Sequence, residues 1–137
     1  MTELTGEQRT FLGDQHRAVL ATRKRDGGIQ TAPITMALDD EDRILISTTS
    51  GSAKARNLAK DPRAVLTVVN DGWYGRYAHV EGDVEIVQLP DALDLLVDYY
   101  RRARGEDHPD WDEYKAAMVE QGRVVLRITP TSVLLAN

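Results

Sequence analysis

Short β-branched segments joined by tight turns are the feature that most constrains the fold of this chain. The turn Asp26-Gly27-Gly28 separates two such segments and predicts a β-hairpin, and an acidic turn at residues 39–42 precedes the next segment. Consecutive strands joined this closely favour an antiparallel sheet that closes toward a barrel over parallel βαβ units. Six strands are predicted, at residues 17–24, 29–38, 43–49, 64–69, 76–88 and 123–128.

Helical patterns interrupt the strands at four places. Thr5, with Gln8 three residues later, predicts an N-cap for a helix that ends at Asp14. Alanine-rich residues 50–60 predict a second helix, and Pro90 to Gly105 a third. A fourth helix carries Trp111, Tyr114 and Met118 on one face and ends at Gly122. The expected fold is therefore α+β, a six-stranded antiparallel split β-barrel with peripheral helices, in one domain covering residues 1–137.

Composition excludes several classes of function. The chain has 137 residues and no cysteine, so it has no disulfide, thiolate zinc site or cysteine nucleophile. Its net charge of −5 argues against general affinity for nucleic acid or anionic lipid, which depends on Lys and Arg. No apolar run approaches the ~20 residues that span a bilayer, and the N-terminus is polar and acidic. We therefore expect a cytoplasmic protein that binds neither nucleic acid nor membrane.

Residues 47–60 reverse the charge of the chain locally. The 22 acidic residues of the protein are absent from this segment, which opens with a run of hydroxyl side chains and contains Lys54, Arg56 and Lys60. A helix that begins here offers free backbone N–H groups and a partial positive charge, so the segment predicts a phosphate site. The alternative is simple N-capping by Ser50 or Ser52, with the basic side chains in solvent. The spacing from Gly51 to Lys54 is not that of a Walker loop.

Several motifs together indicate a family. The chain resembles the pyridoxamine 5'-phosphate oxidase-like split β-barrel family, and in particular its actinobacterial branch of deazaflavin-dependent (coenzyme F420-dependent) oxidoreductases. The resemblance rests on K-x-R-N-L-x-x-D-P-R at 54–63 and D-W-D-E-Y at 110–114, and extends to RAVLATRKRDGGIQTAPI, DGW, VEGDVEIV and the C-terminal DYYRRARGEDHPDWDEYKAAMVEQGRVVLRITP. These stretches cover nearly the whole chain.

The resemblance implies a homodimer with two cofactor sites at its interface. The strand-to-helix segment would bind the phosphate, a preceding strand would line the flavin-type ring, and aromatic residues of the partner subunit would cover it. Trp73 and Tyr77 are the matching aromatics, and the longer stretch around them leaves open which one makes the contact. The residues implied to bind cofactor are Ala32, Pro33, Ile34, Ser47, Thr48, Thr49, Lys54, Arg56, Asn57, Trp73 and Tyr77.

Three hypotheses for the function follow. The first is an F420-dependent reductase that transfers a hydride between the cofactor and a small conjugated substrate, such as an enone, a quinone or a tetrapyrrole. The second keeps the fold with FMN as the cofactor of an oxidase or reductase. The third is an F420 carrier or sensor without turnover. The phosphate segment does not separate them, because both cofactors present a phosphate.

The remaining candidates for chemistry are weaker. His16, His79 and His108 lack the spacing of a metal site, so no metal is expected. His79 is either a strand histidine or a proton donor beside the cofactor. A serine hydrolase lacks its G-x-S-x-G motif. Basic residues on the first hairpin, at positions 17 and 23–25, are either a solvated face or a contact for the carboxylate tail of the deazaflavin.

Overall fold

A computed structural model describes residues 1–137 as one antiparallel sheet with four helices. The helices are α1 (Gly6–Asp14), α2 (Ala53–Lys60), α3 (Ala92–Arg104) and α4 (Trp111–Glu120). The strands are β1 (Arg17–Arg23), β2 (Ile29–Thr35), β3 (Ala37–Leu38), β4 (Ile44–Thr49), β5 (Arg63–Val69), β6 (Tyr77–Val87) and β7 (Arg123–Ala136). Their order in the sheet is β2-β1-β5-β6-β7-β4-β3. None of the helices has the length and apolar character needed to cross a membrane.

The sheet has seven strands, so the expectation of six was wrong. The predicted strand 29–38 is divided at Met36 into β2, which pairs with β1, and β3, which pairs with β4. The Met36 backbone N–H donates to the carbonyl oxygen of His16 at 2.9 Å, and the His16 ring nitrogen Nδ1 donates to the Met36 carbonyl oxygen at 2.9 Å. These bonds hold a bend where the chain changes partner strand. Hydrophobic alternation continues through such a bend, so the sequence does not reveal it.

The bend at Met36 closes the sheet. β2 and β3 are at opposite ends of the strand order, yet only Met36 separates them in sequence. The sheet must therefore curl until its two ends meet, as the split-barrel prediction required. β7 is also longer than predicted and runs on past Pro130, which lies opposite Gly82 at a register shift between Glu81 and Gly82. An irregularity in the ladder is where a residue without an N–H is tolerated.

Two apolar clusters stabilise the fold. Nineteen buried residues fill the inside of the curled sheet, and Phe11 and Leu12 of α1 and Leu58 of α2 complete this cluster. A second cluster packs α3 and α4 against the outer surface of β4 and β7, through Leu96 and Tyr114 among others. The Tyr114 hydroxyl donates to the Leu96 carbonyl oxygen at 2.9 Å, and burial raises the pKa of Tyr114 to about 12.

The helix boundaries confirm most of the predicted signals. Thr5 and Gln8 form the predicted capping box, and Gly105 ends α3 in a left-handed conformation with φ +72°. The third helix starts two residues after Pro90, at Ala92. In α4, the side chain of Asp110 caps the helix by accepting from the backbone N–H of Glu113. Local capping chemistry therefore operates where the sequence indicated.

Gly82 provides a test of the packing inside the sheet. A Cβ at this position would lie 2.7 Å from Cγ2 of Ile128 and 2.7 Å from the backbone oxygen of Thr129. We expect Gly82→Ala to lower the free energy of unfolding by about 1–3 kcal/mol, because overpacking forces neighbouring atoms to shift. Urea unfolding measures this change. The control is Gly13→Ala in α1, where a Cβ meets no atom within 4 Å. A loss in Gly82→Ala no larger than in this control would contradict the packing described.

Candidate functional site

Two strand edges without partners face each other beside the bend. β2 pairs only with β1, and β4 extends beyond its short partner β3 at residues 47–49. Because β4 is antiparallel to β3, these residues run back alongside β2. We call the gap between the free edges of β2 and β4 the seam. It brings together two groups of predicted site residues that are distant in sequence, Ala32–Ile34 and Ser47–Thr49.

The side chains along the seam point in alternating directions. Ala32 lies opposite Leu20, a core residue, so it and Ile34 face the inside of the sheet, whereas Pro33 faces outward. Thr48 is 4% exposed and faces the same interior. Ser47 and Thr49 are half-buried on the opposite face of β4. The backbone and the small side chains of both strands, rather than one large pocket, therefore border the seam.

Two of the hydroxyl groups are used to cap α2. Ser52 is the N-cap, and its hydroxyl oxygen accepts from the backbone N–H of Ala55 at 3.2 Å. The hydroxyl of Thr48 donates to the same Ser52 oxygen at 2.9 Å. The helix consequently begins at Ala53, three residues later than the predicted start at Ser50. Of the two caps considered from the sequence, the structure selects Ser52.

The start of α2 still offers free donors and positive charge. The backbone N–H groups of Ala53 and Lys54 have no hydrogen-bond acceptor in the chain. Lys54 is half-buried and forms no ion pair. Arg56 is exposed and donates only to the backbone oxygen of Gly51, at 3.2 Å. Free N–H groups at a helix N-terminus together with nearby cations can bind an anion.

Asn57 connects α2 to the first hairpin. Its amide nitrogen donates to the Thr22 hydroxyl at 3.1 Å and to the side-chain oxygen of Gln30 at 2.9 Å. Both amide hydrogens are therefore used within the chain, which positions α2 across the end of β1 and β2. Sequence reasoning did not identify Thr22 or Gln30, because they lie 35 and 27 residues from Asn57 and no local pattern marks the contact.

A polar cleft of about 640 Å³ opens beside α2 and the first hairpin. We call it the basic cleft. Its wall contains three cations and one carboxylate, and Asp26 pairs weakly with Lys24 at 3.8 Å. The other basic residues of the hairpin, Arg17 and Arg23, instead pair with Asp71 and Asp61. The residues lining the basic cleft are Lys24, Arg25, Asp26, Gln30, Ala53, Arg56 and Asn57.

The two predicted aromatic residues lie elsewhere. Trp73 is 63% exposed on the β5–β6 loop and has φ +74°, a conformation rare for a bulky residue. Asn70 holds this loop by donating to the carbonyl oxygens of Tyr74 and Arg76. Tyr77 follows on the outer face of β6. The Arg17–Asp71 ion pair places the loop at the first residue of β1, whereas the basic cleft is at the last, about 20 Å away along the strand.

The histidines are dispersed. His16 holds the bend at Met36, and His108 packs among Tyr100, Trp111 and Tyr114. His79 lies on the outer face of β6, with Nε2 3.8 Å from a Glu81 carboxylate oxygen. No group of three or more His, Cys, Asp or Glu side chains is arranged to hold a metal ion.

Comparison with known proteins identifies the family. A family model described as pyridoxamine 5'-phosphate oxidase matches residues 4–137. The chain belongs to the pyridoxamine 5'-phosphate oxidase family. The resemblance found in the motifs is thereby confirmed. This family includes oxidoreductases and binds flavin-like cofactors.

Several solved structures share the architecture. The hypothetical protein Rv2991 of Mycobacterium tuberculosis is 26% identical, with a TM-score of 0.82 over 100% of this chain and 86% of its own. An F420 reductase is also 26% identical, with a TM-score of 0.72 over 96% of this chain and 98% of its own. General Stress Protein 26 of Bacillus anthracis, at 17% identity and a TM-score of 0.69 over 93% and 88%, shares the fold. One structure similar to this chain is thus an F420 reductase of nearly the same extent.

Ser52 allows the capping role to be tested separately from ligand binding. We expect Ser52→Ala to lower the free energy of unfolding by about 1 kcal/mol, since Ala55 loses its capping acceptor and the Thr48 hydroxyl loses its partner. Thermal or urea unfolding measures the change. Ser50→Ala is the matched control, because the Ser50 side chain makes no hydrogen bond. Equal effects of the two substitutions would show that the cap is misassigned.

Proposed function

We propose that this protein is an F420-dependent oxidoreductase that transfers a hydride between the deazaflavin and a small conjugated substrate of the enone, quinone or tetrapyrrole type. The observation that carries the proposal is the basic cleft next to the start of α2, in a chain whose net charge is −5. Cations concentrated at one place on an acidic protein favour an anionic ligand there. The F420 reductase among the similar structures supports the choice of cofactor.

The residues at the site fit a cofactor with more than one anionic group. The N–H groups of Ala53 and Lys54 and the Lys54 ammonium would hold a phosphate. Arg25 forms no ion pair, and with Lys24 and Arg56 it lines the basic cleft, where it would meet the carboxylates of a deazaflavin tail. FMN carries a phosphate and no such tail. The cations of the basic cleft therefore favour F420. FMN is the alternative cofactor.

The chain's own contribution to the reaction would be orientation and exclusion of water. When bound, the deazaflavin supplies the hydride chemistry. Ala32–Ile34 and Ser47–Thr49 would flank the ring with backbone and small side chains, so that the ring is fixed relative to the substrate. Residues 32–34 and 47–49 include no carboxylate or histidine, which agrees with a proton supplied by water or by one weakly acidic side chain.

A second copy of the chain would complete the site. The outer face of β1, β5, β6 and the end of β7 carries Val19, Val65 and Leu134, and Leu134 is 56% exposed. This face also carries polar side chains such as Thr67, His79 and Glu81, and exposed apolar side chains on a mixed face favour packing against another protein surface. Trp73 and the basic cleft of one protomer lie at opposite ends of β1, which favours a second copy as the source of the aromatic cover. We therefore propose a homodimer with composite sites.

Titration of the protein with F420 and with FMN, followed by fluorescence, tests the cofactor and the phosphate site together. We expect F420 to bind more tightly than FMN, and Lys54→Ala to weaken binding by more than about 1 kcal/mol, roughly fivefold. Lys60→Ala is the matched control, because Lys60 is in the last turn of the same helix. Tighter binding of FMN would refute the proposed cofactor, and equal losses in the two variants would refute the phosphate site.

Oxidation of reduced F420 by a panel of enones and quinones then separates an enzyme from a carrier. Sustained turnover with any member supports the reductase. Tight binding of F420 without turnover across the panel would instead favour the carrier or sensor.

Mixing two variants that each weaken cofactor binding tests whether the site is composite. Lys54→Ala and Trp73→Ala would each damage every site of a homodimer. After unfolding and refolding together, random pairing makes half of the dimers mixed, and each mixed dimer has one intact site, so about a quarter of the wild-type capacity for high-affinity binding should return. Each variant refolded alone is the control. Failure to recover capacity in a mixture shown to contain mixed dimers would place Trp73 and Lys54 in the same protomer's site, or remove Trp73 from it.

A further inference from the structure

Tyr99 lies at the end of the seam beside the bend. Its hydroxyl donates to the carbonyl oxygen of Thr35, the last residue of β2, at 2.9 Å. The Tyr99 ring packs against the apolar cluster that contains Leu45 of β4, and the backbone of Ser47, two residues further along β4, is close enough to the same hydroxyl to influence its pKa. One side chain of α3 therefore lies beside both β2 and β4, near the bend.

A second polar contact holds the other end of β2. Asn57 joins α2 to β1 and β2 at the opposite end of the seam, through Thr22 and Gln30. Between these two contacts, the residues implied to line the ring have no partner strand on the side that faces the seam. The two ends of β2 are thus joined to helices, Thr35 to α3 through Tyr99 and Gln30 to α2 through Asn57.

We propose that Tyr99 is a positioning residue for the cofactor ring, because its hydroxyl joins the end of β2 to α3, which packs against β4, and so holds the two edges at the spacing that the ring requires. The inference rests on the proposed function and adds to it a residue that supports the ring rather than the phosphate. In this proposal, Tyr99 of α3 supports the cofactor ring, whereas α2 and the first hairpin bind the anionic groups of the cofactor.

The protonation state of Tyr99 suits this role. Burial raises the pKa of Tyr99, while the nearby Ser47 backbone and the positive charge of Arg123 act in the opposite direction. The hydroxyl accordingly remains protonated at neutral pH and donates to Thr35. Tyr99 is half-buried, so a ligand entering the seam can approach it.

Tyr99→Phe removes the hydroxyl and leaves the ring of the side chain. We expect the affinity for the preferred cofactor to fall about three- to tenfold, the range for losing hydrogen bonds of ordinary strength. The absorption maximum of the bound cofactor should also shift, because the seam that holds its ring has changed. Inorganic phosphate, used as a competitor, should keep its inhibition constant, because the start of α2 is untouched.

Tyr100→Phe is the matched control. Tyr100 is the next residue of α3, its ring packs edge-on against Trp111 and Tyr114, and its hydroxyl makes no hydrogen bond. Circular dichroism of both variants excludes loss of the fold. Cofactor affinity and spectrum unchanged in Tyr99→Phe, or altered equally in Tyr100→Phe, would overturn the inference alone. If the wild-type protein binds neither F420 nor FMN, the proposed function fails and this inference fails with it.

Discussion

The paired hydrogen bonds between His16 and Met36 are the constraint on which the rest of the structure depends. They hold the chain at the one residue where it leaves β1 and joins β4. Since those strands are far apart in the sheet order, this step forces the sheet to curl. Inside the curl lies the main core, and outside it α3 and α4 cover β4 and β7. The curl brings β2 and β4 side by side without a ladder of hydrogen bonds between them. The free edges that remain border the seam.

The proposed site combines two kinds of recognition that the fold separates in space. Backbone groups at unpaired strand edges and at the start of α2 are already fixed in place by folding. Binding a ligand to them therefore costs little further conformational entropy. The cations of the basic cleft add charge, which draws an anion to one place on an acidic surface. Neither kind needs a deep cavity. A flat ring and an anionic chain can instead be held along the edge of the sheet and covered by a second copy.

Much of the fold could be predicted from local patterns, and its exceptions have a common cause. The strands and helices were predicted close to their observed positions, apart from the division at Met36 and the continuation of β7 past Pro130. Both exceptions depend on a residue opposite in space: His16 across the bend and Gly82 across the bulge. At the site, the hydroxyl run and the cations of 47–60 were visible, but the choice of Ser52 as the cap depends on Thr48 turning inward from β4. Pairwise geometry of this kind has no signature along the chain.

The sequence by itself determined the family, the antiparallel strand-rich class and the position of a locally basic helix start, because these depend on neighbouring residues and their periodicity. Tertiary structure alone decided that Ala32–Ile34 lie near Ser47–Thr49, that Asn57 and Tyr99 join the two ends of β2 to α2 and α3, and that Trp73 is far from the basic cleft of its own protomer. The physical reason is closure. Contacts between the first and last strands of a sheet form only when it curls, and the curl is set by a hydrogen-bonded bend that leaves the hydrophobic pattern unchanged.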